Sequence, residues 1–380
     1  MIIEEFLKWV ESARASEREA AAGALARAYL QSPLEFEERC AAEAALTILL
    51  DDPSPNVRYA LAEALSTSTH APVQIVTALA CDQPSISGLI LVRSPLLNDT
   101  DLIDRVALGN SETQISIANR AQLSLAVCAA LGEVSCVEAC QAMLNNSGAK
   151  IALITMRRLA ERFAGIAEFR DILLNDARLP ADARHGLIVK LGEQLSQMPI
   201  VLALIGSGRA QRITNDACVR ACIELVDEAP ADEHPALVEH LRLSGELTTS
   251  FVLRVLVHGK IGFFATILAT LSGQNIERIK AQLANGRQSI LTTLFRNCGF
   301  NDTVVGLLLH GLETWRSVAN GNLIAGAQEV SRMMLEGLVS SRTSSALGHS
   351  NDDLAGLLRS IYLETVRENG RKHALRIKAA

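Results

Sequence analysis

An acidic, proline-rich turn, Asp51-Asp52-Pro53-Ser54-Pro55-Asn56, runs into Val57-Arg58 and then into Tyr59-Ala60-Leu61-Ala62-Glu63-Ala64-Leu65. Helix-starting residues followed by apolar residues at helical spacing are how the second helix of a HEAT-like repeat begins. The opening recurs. Val57, Ile86 and Ile115 fall 29 residues apart, behind the polar turns Pro53-Ser54-Pro55-Asn56, Asp82-Gln83-Pro84-Ser85 and Ser111-Glu112-Thr113-Gln114. Apolar helices are expected behind them at 59–65, 89–91 and 117–131. A period near 30 made of paired helices marks a solenoid, in which each unit buries its face only against its neighbours. Two further units are expected, at 144–149 leading into a helix over 150–163, and at Leu179-Pro180-Ala181-Asp182 leading into one over 184–195.

Composition agrees with helices. Hydrophobic residues make up 49% of the chain but aromatic ones only 4%, so the core is built from Ala, Leu, Ile and Val, which suits close helix packing better than a β-sandwich. The predicted fold is all-α, a HEAT-like α-α superhelix (solenoid) with a helical C-terminal region. Residues 1–50 read as an N-terminal helical cap, in which Ser16-Glu17-Arg18-Glu19 forms a capping box and 35–50 a further helix. Residues 51–205 form the repeat region. Breaks at Gly206-Ser207-Gly208 and across 229–235 open a different texture over 206–339, with helices predicted at 210–228, 235–242, 247–258, 261–271, 276–285, 287–297, 302–318 and 322–339. Residues 340–380 comprise a polar loop to Asn351, a last helix over 353–368 and a basic tail.

Several phrases in this order resemble a known family: Leu89 to Asp104 with Arg93-Ser94-Pro95-Leu96-Leu97, Gln114-Ile115-Ser116-Ile117-Ala118-Asn119-Arg120, Asn145-Asn146-Ser147-Gly148-Ala149-Lys150-Ile151 and Leu179-Pro180. Gly245-Glu246-Leu247-Thr248, Gly259-Lys260-Ile261-Gly262-Phe263-Phe264 and Leu271-Ser272-Gly273 continue the pattern. Together they resemble the bacterial family named domain of unknown function 2336, found mainly in alphaproteobacteria. The resemblance implies a cytoplasmic helical-repeat protein and supplies no catalytic residues.

The chemistry available is sparse. Eight cysteines at 40, 81, 128, 136, 140, 218, 222 and 298 include no CxxC pair, and Met1-Ile2-Ile3-Glu4-Glu5 lacks the basic and apolar regions of a signal peptide. Reduced thiols in a cytoplasmic protein are expected. Cys136/Cys140 and Cys218/Cys222 each place two sulfurs on one helix face, but buried cysteine in an Ala-rich helix behaves as a small hydrophobe, so no metal or other cofactor is predicted. The histidines offer no His-Glu-x-x-His and no pair at i, i+4. Gly206-Ser207-Gly208 lacks the third glycine of a dinucleotide loop, since position 211 is Gln, and His258-Gly259-Lys260 lacks the rest of a P-loop. The apolar run Ile200 to Ile205 is far too short to cross a bilayer, so no transmembrane segment is expected.

Arginine is the residue type to follow, at 29 against 7 lysines. Arg58 and Arg120 sit inside repeat openings and are assigned to an Asp–Arg ladder with acids such as Asp52 and Asp82. Arg157, Arg158 and Arg162 cover two faces of one helix and are the binding candidates, together with Arg120. The tail from Arg367 to Lys378, with Arg371, Lys372, Arg376 and Lys378, is a second basic feature, read first as a frayed terminus. A net charge of −6 argues against nucleic acid as the main partner. The expected function is a non-enzymatic scaffold for a protein partner, possible signalling included, with nucleic-acid binding and a small-ligand or signalling-nucleotide receptor as alternatives.

Overall fold

The computed structural model describes residues 8–10, 12–342 and 349–379. The described residues are all-α, with one isolated parallel bridge between Leu123 and Ala149 and no strand. The chain divides into two compact units, residues 1–179 and 180–380.

The first unit contains α1 (Ala15–Gln31), α2 (Phe36–Leu50), α3 (Pro55–Leu65), α4 (Val73–Leu79), α5 (Pro84–Arg93), α6 (Asp99–Leu108), α7 (Ser111–Ala118), α8 (Leu125–Val134), α9 (Val137–Asn145), α10 (Leu153–Phe163) and α11 (Ala167–Asn175). Most helices pack on the next but one. The odd series α1, α3, α5, α7, α9 forms one row, and α2 with α4, then α6 with α8 and α10, form the other. The first capping box sits slightly upstream of its expected place: Glu17 is the third residue of α1 and accepts the amide of Arg14 at 3.0 Å.

The 29-residue register holds for two units and then slips. Val57 and Ile86 are each the third residue of a helix that opens on proline, at Pro55 and Pro84, and both are fully buried. Ile115 is instead the fifth residue of α7 and only partly buried, while Ile117 takes the core position. The helix expected over 117–131 is broken at Asn119. The physical reason is a pairing between two distant segments: Leu123 donates its amide to Gly148 O and accepts that of Lys150, both at 3.1 Å. The side-chain amide of Asn146 takes the carbonyls of Ala118 at 2.9 Å and Arg120 at 2.6 Å. Gly148 is required by this close approach, since a Cβ there would lie 1.9 Å from Ala121 O.

The second unit contains α12 (Ala181–Ser196), α13 (Pro199–Ile205), α14 (Ser207–Glu228), α15 (His234–Leu243), α16 (Thr249–Val257), α17 (Ile261–Ser272), α18 (Ile276–Asn285), α19 (Gln288–Asn297), α20 (Asp302–Ala319), α21 (Ala327–Arg342) and α22 (His349–Ala379). It begins at Pro180 rather than after residue 205, because α12 packs on α13, α14 and α15. Its centre is α16, in which every residue from Phe251 to Val257 is buried, the pattern of a helix surrounded on all sides. α16 packs against α14, α17, α20, α21 and α22. Of the polar loop expected to Asn351, residues 340–342 end α21 and 349–351 begin α22, and 343–348 lie outside the described residues. The last helix does not stop near Glu368: α22 continues through the basic tail.

No single helix among the described residues is long and apolar enough to cross a membrane. Only α12 with α13, bent by 65°, pass together on length and composition.

Candidate functional site

The arginines resolve into two structural devices. In the first, Arg18 and Arg58, each the fourth residue of its helix, make the same forked contact. Arg18 donates from Nε and Nη2 to Asp52 (2.6 and 3.1 Å), and Arg58 likewise to Asp82 (2.6 and 3.1 Å). The third guanidinium nitrogen of each goes to a backbone carbonyl, Ala13 O at 2.8 Å and Asp52 O at 2.6 Å. The Arg18 hydrogen bond holds the Asp52 carboxyl below the usual range. At Asp82 burial acts in the opposite direction but is outweighed by Arg58 and the Gln83 amide together, so that carboxyl is lowered too. The fourth residue of α5 is Ser87, and the forked series stops there.

Arg120 departs from the expected ladder. It donates to two carbonyls at the end of α5, Leu91 O and Ser94 O, the latter at 2.8 Å. Arg162 does the same to the end of α8, donating to Gly132 O at 2.5 Å and Ser135 O at 2.8 Å while its guanidinium lies 4.6 Å over the Phe163 ring. Arg178 donates to Leu144 O at the end of α9 (2.7 Å), and Arg316 to Gln282, Leu283 and Gly286 O at the end of α18 (2.8, 2.7 and 3.1 Å). Helix C-termini leave unpaired carbonyls and a partial negative charge, so a planar cation with several donors satisfies both at once.

Of the binding candidates, Arg158 is half-buried and pairs with Glu133 at 2.7 Å and Glu161 at 3.4 Å. Arg157 stands in the middle of α10. Arg120 and Arg162 point donors at backbone carbonyls, whereas Arg158, one turn before Arg162 on α10, pairs with acids. In the tail, Arg371 is exposed on α22, while the side chains of Lys372, Arg376 and Lys378 lie outside the described residues.

The buried cysteines behave as small hydrophobes, whereas Cys40 and Cys81 are exposed. Burial pushes the thiols of Cys128, Cys140 and Cys298 up to about 11 and that of Cys222 to about 12, so all four stay protonated near neutral pH.

A constellation that motif reading overlooked lies in the second unit. His185 on α12, His240 on α15 and Glu246 in the following turn each offer one ligand atom, and these atoms lie within 4.8 Å of one another. The backbone builds this deliberately. The first amide of α12, Ala181 N, donates to Glu233 Oε2 at 2.7 Å, which fixes that helix against the segment entering α15. α15 then ends on Gly245 with φ +75°, a left-handed turn in which the amides of Glu246 and Leu247 both return to Leu241 O (2.9 and 3.0 Å). The turn folds Glu246 back, where its Oε2 accepts Ser244 Oγ at 3.1 Å and lies 3.6 Å from His185 Nδ1. That last distance is too long for a hydrogen bond. His185 is buried, its Nδ1 has no hydrogen-bond partner, and its ring meets that of His240 edge-on at 5.4 Å. Burial, with the His240 charge, pushes the His185 pKa down to about 4, so the imidazole is neutral. Its two histidines lie on different helices, which is why spacing along one helix could not reveal them.

The other unusual surface is α13. None of its seven residues is buried, although it reads Pro-Ile-Val-Leu-Ala-Leu-Ile. Ile200 is 66% and Leu204 77% exposed, and Leu195, Met198, Leu202 and Ile213 are exposed beside them in the chain. Arg209 and Arg212 follow, exposed, on the first turns of α14.

Residues 86–348 match the model of a family described as an uncharacterised protein conserved in bacteria, domain of unknown function 2336. No curated protein and no solved structure matches the chain.

Proposed function

We propose that this chain, which belongs to the bacterial family of domain of unknown function 2336, is a non-enzymatic HEAT-like scaffold of the bacterial cytoplasm that binds a protein partner through α13. The carrying observation is an apolar helix with no buried residue, because soluble surfaces rarely leave contiguous large apolar side chains facing water without a use. Arg209 and Arg212 beside it favour a partner helix with an apolar stripe and acidic flanks. Eight unpaired cysteines fit a reducing compartment. The arginines supply less support for a phosphate-binding reading, since Arg120, Arg162 and Arg316 spend donors on helix ends and Arg178 divides its own between Leu144 O and the Asp176 carboxylate. A membrane reading of α12 and α13 meets Asp182, Arg184, Lys190 and Glu193 along α12.

The test is a photo-crosslinking amino acid at Leu204 of the full chain in its native cell, with Leu108, exposed on α6, as the control position. A discrete adduct with one other protein at Leu204 and none at Leu108 is expected, and it should vanish in an Ile200→Glu, Leu204→Glu variant. Adducts only with a second copy of the chain, or only with lipid, would overturn the reading.

A further inference from the structure

We propose that His185, His240 and Glu246 bind a divalent transition-metal ion of the zinc class, fastening α12 to the turn that precedes α16. Two imidazoles and a carboxylate form a mixed nitrogen–oxygen donor set that suits zinc, whereas magnesium and calcium prefer oxygen throughout. The three ligand atoms lie within 4.8 Å of one another, and one separation is close to that around a single ion. Two ligands bound at about 2.0–2.1 Å in a tetrahedral shell lie roughly 3.3–3.5 Å apart, and His185 Nδ1 stands 3.6 Å from Glu246 Oε2.

A second, independent observation is the orphaned nitrogen. The His185 side chain is 3% exposed, and its Nδ1 has no hydrogen-bond partner while facing the Glu246 carboxylate. Leaving such an atom unsatisfied is unfavourable, and a metal ion replaces the missing partner. The neutral imidazole is the ligating form. Glu246 is also fixed before any ion arrives, through the Gly245 turn and Ser244 Oγ. Cys222 is not among the three residues whose ligand atoms converge, so the fourth position is left to solvent or a small molecule. The ion would act on architecture. α12 leads directly into α13, and Thr248, two residues beyond Glu246, caps the central helix α16.

The experiment uses the full chain stripped with a chelator and then titrated with zinc, and in parallel with cobalt(II). Expected are about one equivalent bound, a rise in the thermal midpoint, and the visible absorption of tetrahedral cobalt without a near-ultraviolet thiolate band. Glu246→Gln, which keeps size and a partner for Ser244, should retain the far-ultraviolet helical signal and weaken zinc binding about tenfold or more. Glu239→Gln, at a half-buried acid one residue before His240 that pairs with Arg242, should bind as the parent does. A folded parent chain that takes up no stoichiometric zinc would overturn the site. So would unchanged binding in Glu246→Gln, or a thiolate–cobalt band.

Discussion

At Arg120 a half-buried guanidinium faces two peptide carbonyls, and burial, opposed by the Asp99 charge, lowers its pKa. Its value lies in the fork, two donors aimed at two acceptors that the end of α5 leaves open. Lysine offers a point charge with no fixed geometry. Arg120→Lys is therefore expected to lower stability by about 2 kcal/mol, read as a shift in the urea midpoint. Arg158→Ala, at an exposed pair, should leave that midpoint close to the parent's. His258 gives the pH prediction. Burial lowers its pKa below the ordinary 6.5, against the raising influence of Glu368 and Glu364 and together with Lys260 and Arg254. The unfolded chain then takes up a proton before the folded one does, so this contribution is intact above the ordinary value and is lost as the pH falls below it. Urea unfolding of His258→Gln should show a smaller loss of stability on going from neutral to mildly acidic buffer than the parent shows.

Among the elements, the break between α7 and α8 shows how a helical period can be overruled. Residues 117–131 are apolar enough to continue as one helix, yet Asn146 takes the carbonyls of Ala118 and Arg120, and Leu123 pairs with Gly148 and Lys150. A side chain at 148 would strike the backbone at Ala121. Gly148→Ala should cost about 1–3 kcal/mol by forcing the two segments apart, measurable as a lowered thermal midpoint. α13 gives the opposite expectation. Because none of its residues is buried, Ile200→Glu with Leu204→Glu should leave thermal stability unchanged or slightly improved while abolishing the crosslink proposed above.

At the scale of the whole molecule, the two units solve burial differently. The first stacks helices in rows, most against the next but one, and the second gathers helices around α16. The second unit closes on α22: Arg254 of α16 is buried and pairs with Glu364 at 2.7 Å, and Leu358 and Ile361 are fully buried beside it in sequence. Ending the chain after Arg342 removes that partner and apolar cover together. The shortened chain should lose cooperative unfolding of the second unit, followed by hydrogen exchange at the amides of 251–257, and protection there equal to the parent's would refute this account. Helix class, most helix positions and the family were legible in the sequence, because apolar spacing, proline at the first turn and ordered local phrases are written in neighbouring residues. The helices over 261–272, 276–285 and 302–319 lie within a residue of where their spacing puts them. The unit boundary at Pro180, the slip of register after Ile86, the carbonyl-capping role of Arg120 and Arg162, and the meeting of His185, His240 and Glu246 were decided only by tertiary structure. Each depends on contacts between segments distant in the chain, and local periodicity carries no record of which distant segment a side chain will meet.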